Sequence, residues 1–313
     1  MELEFYVKDK YDGKTLREVL SGELNMSKNM IKRVKLYGSL DVNGIHTRVI
    51  DKVKANDLIY IKYDDDSGKL NEDAGIPILF EDEWVGICIK PANMVTHPTH
   101  GHLDDSLLTV LGTSCGNSLH PIMRLDRETS GLIAIAKNGY AHNQVATSKM
   151  SKKYLAVVYG KFENDSGRID MPIKRKEGSI MIREVPSDGS GHPSITNYRI
   201  LLYDKTNDIS LVEFILETGR CHQIRVHSMT NGHPLVGDGL YGPNSVDNPN
   251  NNFPKSKELD NKIGRQALHA YYLSVIHPIT NEEMTFKSQL PDDMRMLFAE
   301  ELQEEIIRIC SSL

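Results

Sequence analysis

Between residues 76 and 275 the chain alternates short apolar runs with polar breaks, at 76–80, 84–89, 132–136, 154–158, 195–201, 209–216 and 270–275. Each run has the length of a strand. Helix-compatible stretches are fewer, at 104–111, 140–149, 221–231 and 292–310, and they do not follow the strands one for one. A doubly wound parallel sheet requires that alternation, so its absence points to an α+β fold with a mixed, largely antiparallel sheet. There is no internal repeat, and the only biased tracts are an acidic stretch at 64–75 and an Asn/Pro-rich loop at 244–254.

The first 63 residues have a different texture. Thr15-Leu16-Arg17-Glu18 has the form of a capping box ahead of a short helix whose apolar face is Leu16, Val19 and Leu20. A second helix can start at Ser27. On it Met30, Val34 and Tyr37 make an apolar stripe, while Lys28, Lys32 and Lys35, joined by Arg33, make a basic surface. Short strands follow, linked by the hairpin signal Asn43-Gly44 and ending around 58–61. The expected organisation is a small α/β module at 1–63, a polar linker at 64–75 and a main domain at 76–313.

A net charge of −6 taken alone argues against a nucleic-acid partner, because phosphate binding needs clustered Lys and Arg. The distribution argues the other way. Residues 1–63 carry 12 Lys and Arg against 9 Asp and Glu, residues 64–75 carry 1 against 5, and residues 76–313 carry 24 against 29. The basic excess therefore sits on the module, whose second helix offers an RNA-docking surface. The stretch 15–61 resembles the small RNA-binding module shared by ribosomal small-subunit protein four and bacterial tyrosyl-tRNA synthetases. The bland alternative is a solvated helix face.

Other classes find little support. No run approaches the roughly 18 apolar residues of a membrane span, and Met1-Glu2-Leu3-Glu4-Phe5 lacks a secretory pattern, so a cytoplasmic protein without a membrane partner is expected. Cys88, Cys115, Cys221 and Cys310 are scattered, which suggests reduced, buried thiols rather than a zinc knuckle or a disulfide framework. His97, His100 and His102 lie close together, but no acidic or thiol ligand completes a metal set. Gly237-Asp238-Gly239 lacks the Gly-Lys-Thr/Ser of a phosphate loop.

The segment that carries chemistry is Arg124-Leu125-Asp126-Arg127-Glu128-Thr129-Ser130-Gly131-Leu132, just ahead of a buried strand. Neighbouring arginines can keep such a carboxylate ionised, and an oriented carboxylate can act as nucleophile or base. Asp-x-x-Thr-Ser-Gly is also simple turn chemistry. The loop does not stand alone, however. Arg-Leu-Asp-x-x-Thr-Ser-Gly-Leu resembles the signature of RluA-like pseudouridine synthases, and further family-like motifs occur in the same order. They are Ile89-Lys90-Pro91 through His97-Pro98, Tyr154-Leu155-Ala156-Val157-Val158-Tyr159-Gly160, Thr218-Gly219-Arg220-Cys221-His222-Gln223-Ile224-Arg225-Val226-His227, His233-Pro234 through Tyr241-Gly242, and Leu268-His269-Ala270. One position departs: Met123 stands where the family commonly has a histidine.

The resemblance implies a role for each matching residue. Asp126 corresponds to the catalytic aspartate, which attacks either the ribose anomeric carbon or the uracil ring. Arg225 corresponds to the buried arginine that pairs with it, and Tyr154 to the tyrosine that stacks on the target base and can move a proton. Arg124 corresponds to the residue that fills the gap left by a flipped base. His222 and His227 are read as loop support and RNA contact, and Asp238 as structural or as positioning Arg225. No nucleotide, metal or organic cofactor is implied, and the expected partner is ribosomal RNA, with transfer RNA open, acted on by a monomer. The alternative is a catalytically silent RNA-binding or ribosome-assembly protein, against which the intact Asp126, Tyr154 and Arg225 set argues. A glycoside hydrolase would need paired carboxylates across a bond, and Asp126 with Glu128 in one turn does not provide them.

Overall fold

In the computed structural model, which describes residues 2–63, 70–99, 101–112, 119–245 and 252–313, the first stretch folds around a four-stranded antiparallel sheet. Its elements are β1 (Glu2–Tyr6), α1 (Leu16–Gly22), α2 (Lys28–Tyr37), β2 (Gly38–Val42), β3 (Ile45–His46) and β4 (Leu58–Tyr63), with strand order β1-β4-β2-β3. The capping box forms: Thr15 Oγ1 accepts the Glu18 N–H at 3.4 Å, and the Glu18 carboxylate accepts the Thr15 N–H at 2.8 Å. Ser27 caps α2 by accepting the Met30 N–H at 3.1 Å. Asn43 and Gly44 are both left-handed, at φ 53° and 78°, as a two-residue hairpin turn of the strand-matching type requires. The apolar stripe of α2 differs from the expected one. Met30, Ile31 and Val34 are buried, whereas Tyr37 is 74% exposed. Tyr37 is the last residue of the helix, and Ile31 takes the core position instead.

The rest of the chain is organised by one ten-stranded sheet. In chain order the elements are β5 (Ile78–Glu81), β6 (Val85–Lys90), α3 (Leu107–Leu111), β7 (His120–Pro121), β8 (Ser130–Ala136), α4 (Gly139–Thr147), β9 (Ser151–Tyr159), β10 (Ser166–Asp170), β11 (Lys174–Arg175), β12 (Arg183–Glu184), β13 (Ile195–Asp204) and β14 (Ile209–Leu216). They continue with α5 (Gln223–Thr230), α6 (Ser256–Ile263), β15 (Leu268–Ile276), β16 (Glu283–Lys287), α7 (Asp292–Arg295) and α8 (Gln303–Ser312). The sheet runs β10-β13-β14-β9-β15-β8-β6-β5, with β16 on β15 and β7 on β8, while β11 and β12 form a separate hairpin. Every pairing in the large sheet is antiparallel except the short parallel contact of β15 with β8. The α+β class and the mixed, largely antiparallel sheet are as the strand-rich order implied.

That parallel contact positions everything that follows. β8 is buried along its whole length, which is why it reads as a continuous apolar run. At its start Gly131 has φ +118°, and a Cβ there would meet Ala270 O at 2.3 Å and Ala270 N at 2.6 Å. Only glycine permits β8 and β15 to approach this closely. The loop carrying Asp126 is thereby delivered to the middle of the sheet, beside β9 and its Tyr154.

Several expectations are corrected. The helix expected at 292–310 is broken into α7, a 3-10 turn at Glu300–Leu302 and α8. Side chains from the β13–β14 turn intercept the backbone there: Asn207 Nδ2 donates to Leu297 O at 3.0 Å, and Asp204 Oδ2 accepts the Ala299 N–H at 2.9 Å. The helix expected from 221 starts at Gln223, because His222 is left-handed at φ 59°. The helix expected from 104 starts at Leu107, capped by Ser106. The thiols are not uniformly buried: Cys88 is, Cys310 is half-buried and Cys221 is exposed.

Cys115, His100, part of the 244–254 loop and residues 64–69 of the expected linker lie outside the described residues. Leu70 is buried, and its N–H donates to Glu81 Oε1 at 2.8 Å. The first sheet's segment meets the second through α4, where the Asn143 and Gln144 side chains donate to the carbonyls of Asn25 and Leu24. No helix among the described residues is long and apolar enough to cross a membrane.

Candidate active site

Asp126 opens a turn closed by the Thr129 N–H donating to Asp126 O at 3.1 Å. The turn is gripped from several directions. Thr96 Oγ1 donates to Leu125 O at 3.1 Å, and Lys90 Nζ donates to Arg127 O at 3.1 Å. On the other side Gln266 Nε2 donates to Thr129 Oγ1 at 2.6 Å and Arg265 Nη1 to Glu128 O at 3.3 Å. Arg265 is itself fixed by a two-point ion pair with Asp293, at 2.6 and 2.9 Å. A turn held this way orients the Asp126 carboxylate with little freedom.

Lys90 is fully buried, and besides Arg127 O its ammonium donates to Pro91 O at 2.7 Å and Met94 O at 2.8 Å. Burial pushes its pKa down from 10.5 to about 7, against the pull of Asp126 and with the push of Arg265. Above that value the folded chain sheds a proton that the unfolded chain keeps up to about 10.5, so this residue makes stability rise with pH across that window. In urea unfolding, the stability of wild type relative to Lys90→Met should therefore increase between pH 7 and pH 9.5; a difference that stays flat or shrinks would show that Lys90 keeps its charge.

Arg225 reaches the turn from the first turn of α5. Its Nη1 donates to Asp126 Oδ2 at 3.0 Å, while Nε and Nη2 donate to the two oxygens of Asp238 at 2.7 and 2.8 Å. Asp238 is 1% exposed and also accepts the Leu240 and Tyr241 N–H groups, both at 3.0 Å. Burial disfavours the guanidinium charge, but the hydrogen bonds and charges of Asp238 and then Asp126 outweigh it and hold the arginine's pKa above its usual value. The Arg225 guanidinium also lies 5.0 Å from the ring centre of Tyr241.

His222 turns inward, with Nε2 3.7 Å from Asp126 Oδ2 and Nδ1 2.8 Å from Tyr241 Oη. Tyr241 Oη already accepts the Arg183 N–H at 2.8 Å. Its own proton is then the one directed at His222 Nδ1, which leaves the ring proton on Nε2, facing Asp126. Burial depresses the His222 pKa, and the attraction of Asp126 does not reverse it, so the ring is neutral at pH 7.

Asp126, Tyr154, Arg124 and His222 line one cleft of about 490 Å³, and Arg225 joins them in its floor. Tyr154 is buried, and burial followed by the Asp126 charge pushes its hydroxyl pKa up, keeping it protonated. Arg124 is exposed at the rim. Met123 and His97 form part of the wall, Met123 being 8% exposed. Lys28, Lys32, Arg33 and Lys35 are exposed on α2 and do not line this cleft.

His227, read from sequence as support or RNA contact, is fully buried and spends both ring nitrogens on Thr196 Oγ1 and Met171 O, at 2.9 and 3.0 Å, so it supports the core and does not reach RNA. Among the described residues no three His, Cys, Asp or Glu side chains gather as a metal site, and His102 faces Asp105 at 2.8 Å. Lys90, Tyr241, Arg265 and Gln266 had no role in the sequence reading. The first two lie inside quoted motifs, but nothing in their spacing says which loop they grip.

Comparison with known proteins identifies the family. Residues 85–229 match the RNA pseudouridylate synthase family. The chain is 35% identical over 290 residues to the RNA pseudouridine synthase YjbO of Bacillus subtilis, covering 88% of this chain and 96% of that protein. It is 36% identical over 249 residues to ribosomal large subunit pseudouridine synthase D of Zymomonas mobilis, covering 73% and 74%. Its fold resembles human RNA pseudouridylate synthase domain containing 1, with TM-score 0.56, 22% identity and coverage of 76% of this chain and 96% of that one. Human RNA pseudouridylate synthase domain containing 4 gives TM-score 0.54 and 25% identity, covering 74% and 93%. With that identity spread over nearly the whole of a member's length, the chain belongs to the RluA-like RNA pseudouridine synthases and is an isomerase that acts on RNA.

Proposed function

We propose that the protein isomerises uridines of large-subunit ribosomal RNA with Asp126 as its catalytic carboxylate, working as a monomer in the cytoplasm. The observation that carries this reading is the Asp126 carboxylate held at 3.0 Å by Arg225 in the floor of a cleft walled by Tyr154 and His222. A cleft of about 490 Å³ takes one extruded nucleotide rather than a duplex, and exposed Arg124 at its rim can occupy the vacated place in the stack. Support for the RNA class comes from relatives in Zymomonas mobilis, Buchnera aphidicola and Nitrosomonas europaea, each named as ribosomal large subunit pseudouridine synthase D.

The chemistry balances within the substrate. The N1–C1′ bond breaks, a C5–C1′ bond forms, C5 gives up its proton, and N1 ends with one. Asp126 bonds transiently either to C1′, releasing uracil as an anion, or to C6 of the ring, and returns unchanged in both cases. Arg225 keeps its carboxylate oriented, and Tyr154, protonated and beside the base, can relay the C5 proton. Because C5 loses its hydrogen, RNA labelled with tritium at uridine C5 should release the label. Release is expected from an unmodified large-subunit ribosomal RNA transcript; release only from transfer RNA would refute the ribosomal assignment.

The basic face of α2 supplies the anchoring in this reading. Changing Lys28, Lys32 and Lys35 together to Gln should weaken RNA binding and lower the salt slope by about 0.9 for each phosphate no longer neutralised, with the single-turnover rate at saturating RNA unchanged. An unchanged affinity and slope would leave α2 as a solvated helix face.

A further inference from the structure

The hairpin of β11 and β12 takes no part in the large sheet, yet it is built onto the active site. Its base, through Ile173, Ile182 and Val185, packs on Val226 and Met229 of α5, the helix that carries Arg225. Its backbone is tied in at Arg183, whose N–H donates to the same Tyr241 Oη that meets His222 Nδ1. A rigidly seated base contrasts with the tip. Ile180 is 81% exposed, the highest among the exposed large hydrophobic side chains of the described residues, and its neighbour Met181 is 61% exposed. Two adjacent apolar side chains held out into water at the end of an ordered arm are unfavourable unless something covers them.

The charge around the tip says what kind of partner that is. Residues 174–184 carry four basic side chains, Lys174, Arg175, Lys176 and Arg183, against Glu177 and Glu184, in a chain whose net charge is −6. Asp188 lies 3.8 Å from Lys174. The hairpin's concave side forms an open pocket of about 560 Å³ between the Lys174 to Lys176 segment and Ile180. The Arg183 N–H is bonded to Tyr241 Oη, which lies 2.8 Å from Nδ1 of the cleft residue His222, so the root of the arm borders the cleft.

We infer that the β11–β12 hairpin is an RNA-clasping arm, whose Arg175 and Lys176 side meets backbone phosphates beside the target uridine while Ile180 and Met181 pack on an exposed base or ribose. The arm gives a second hold on the substrate besides the α2 face, and its base packs on α5, the helix that carries Arg225. The inference takes the RNA-modifying activity as given and does not depend on which RNA is modified.

The test uses the full chain and two double variants, Ile180→Ser with Met181→Ser, and Arg175→Gln with Lys176→Gln. Affinity is measured at several salt concentrations on an unmodified large-subunit ribosomal RNA transcript and, separately, on an unmodified transfer RNA transcript. Tritium release by wild type reports which RNA class is the substrate, so failure of the ribosomal reading is seen apart from failure of the arm. On the RNA that is modified, the charge variant should bind roughly tenfold more weakly with a salt slope lower by about one to two. The tip variant should bind about fivefold to tenfold more weakly with the slope unchanged, since it removes apolar contact and no charge. Both should keep the wild-type single-turnover rate at saturating RNA. Wild-type affinity and slope in both variants would overturn the arm. So would a tip variant that binds RNA normally but has lost a self-association seen for wild type by sedimentation, because the tip would then seat a second copy.

Discussion

Asp126→Asn should leave the chain folded and its RNA affinity largely intact while lowering single-turnover isomerisation about a thousandfold or more, the scale on which enzymes lose a nucleophile. The substitution is nearly isosteric, and the Asp126 side chain is 29% exposed, so the fold has little at stake. Arg225 keeps its two-point pair with Asp238, which leaves the arginine compensated. What disappears is the carboxylate's ability to form and release a bond to the substrate. A variant retaining more than about a thousandth of the wild-type rate would remove Asp126 from the mechanism.

Arg225→Met should act on both stability and rate. It strips a fully buried carboxylate, Asp238, of its cation, and breaking a buried pair from one side costs about 3–5 kcal/mol. The two backbone N–H groups that Asp238 still accepts favour the lower end. It also removes the donor that orients Asp126, and loss of one such preorganised donor typically lowers a rate by about a hundredfold to a thousandfold. Arg225→Lys separates the two effects: it keeps a charge for Asp238 but lacks the planar fork that bridges Asp238 and Asp126, so it should recover more stability than rate. Urea unfolding with single-turnover assays on both variants reads this directly. Wild-type stability in Arg225→Met, or a rate within a fewfold of wild type, would contradict this geometry.

Strands buried on both faces were legible in the sequence because they are predominantly apolar; 209–216 coincides with β14, and 132–136 lies inside β8. β1 and β16 were not, because their short alternation is carried by charged residues, as in Glu2–Tyr6 and Glu283–Lys287. The break in the last helix depends on Asp204 and Asn207, some ninety residues earlier, and no local pattern announces it. Arg225 and Asp126 are 99 residues apart and were paired in the sequence reading only through the family motif, while the fold brings them to 3.0 Å. Asp238 was placed beside Arg225 on the same basis, but its burial and its four hydrogen bonds were not. The β11–β12 hairpin was missed altogether: two-residue strands amid Lys, Arg and Glu give no periodicity, and its link to Tyr241 runs through a backbone N–H, which any residue type but proline supplies.

The central claim is that this chain, through Asp126, converts particular uridines of large-subunit ribosomal RNA. Its most direct test maps pseudouridines in total RNA from cells that lack the gene and from the same cells given either the wild-type gene or Asp126→Asn. The expected result is that one or a few large-subunit positions lose pseudouridine in the deletion, regain it with wild type, and stay unmodified with Asp126→Asn at equal protein level. Restoration by Asp126→Asn, or a pseudouridine map of large-subunit RNA unchanged by the deletion, would contradict it.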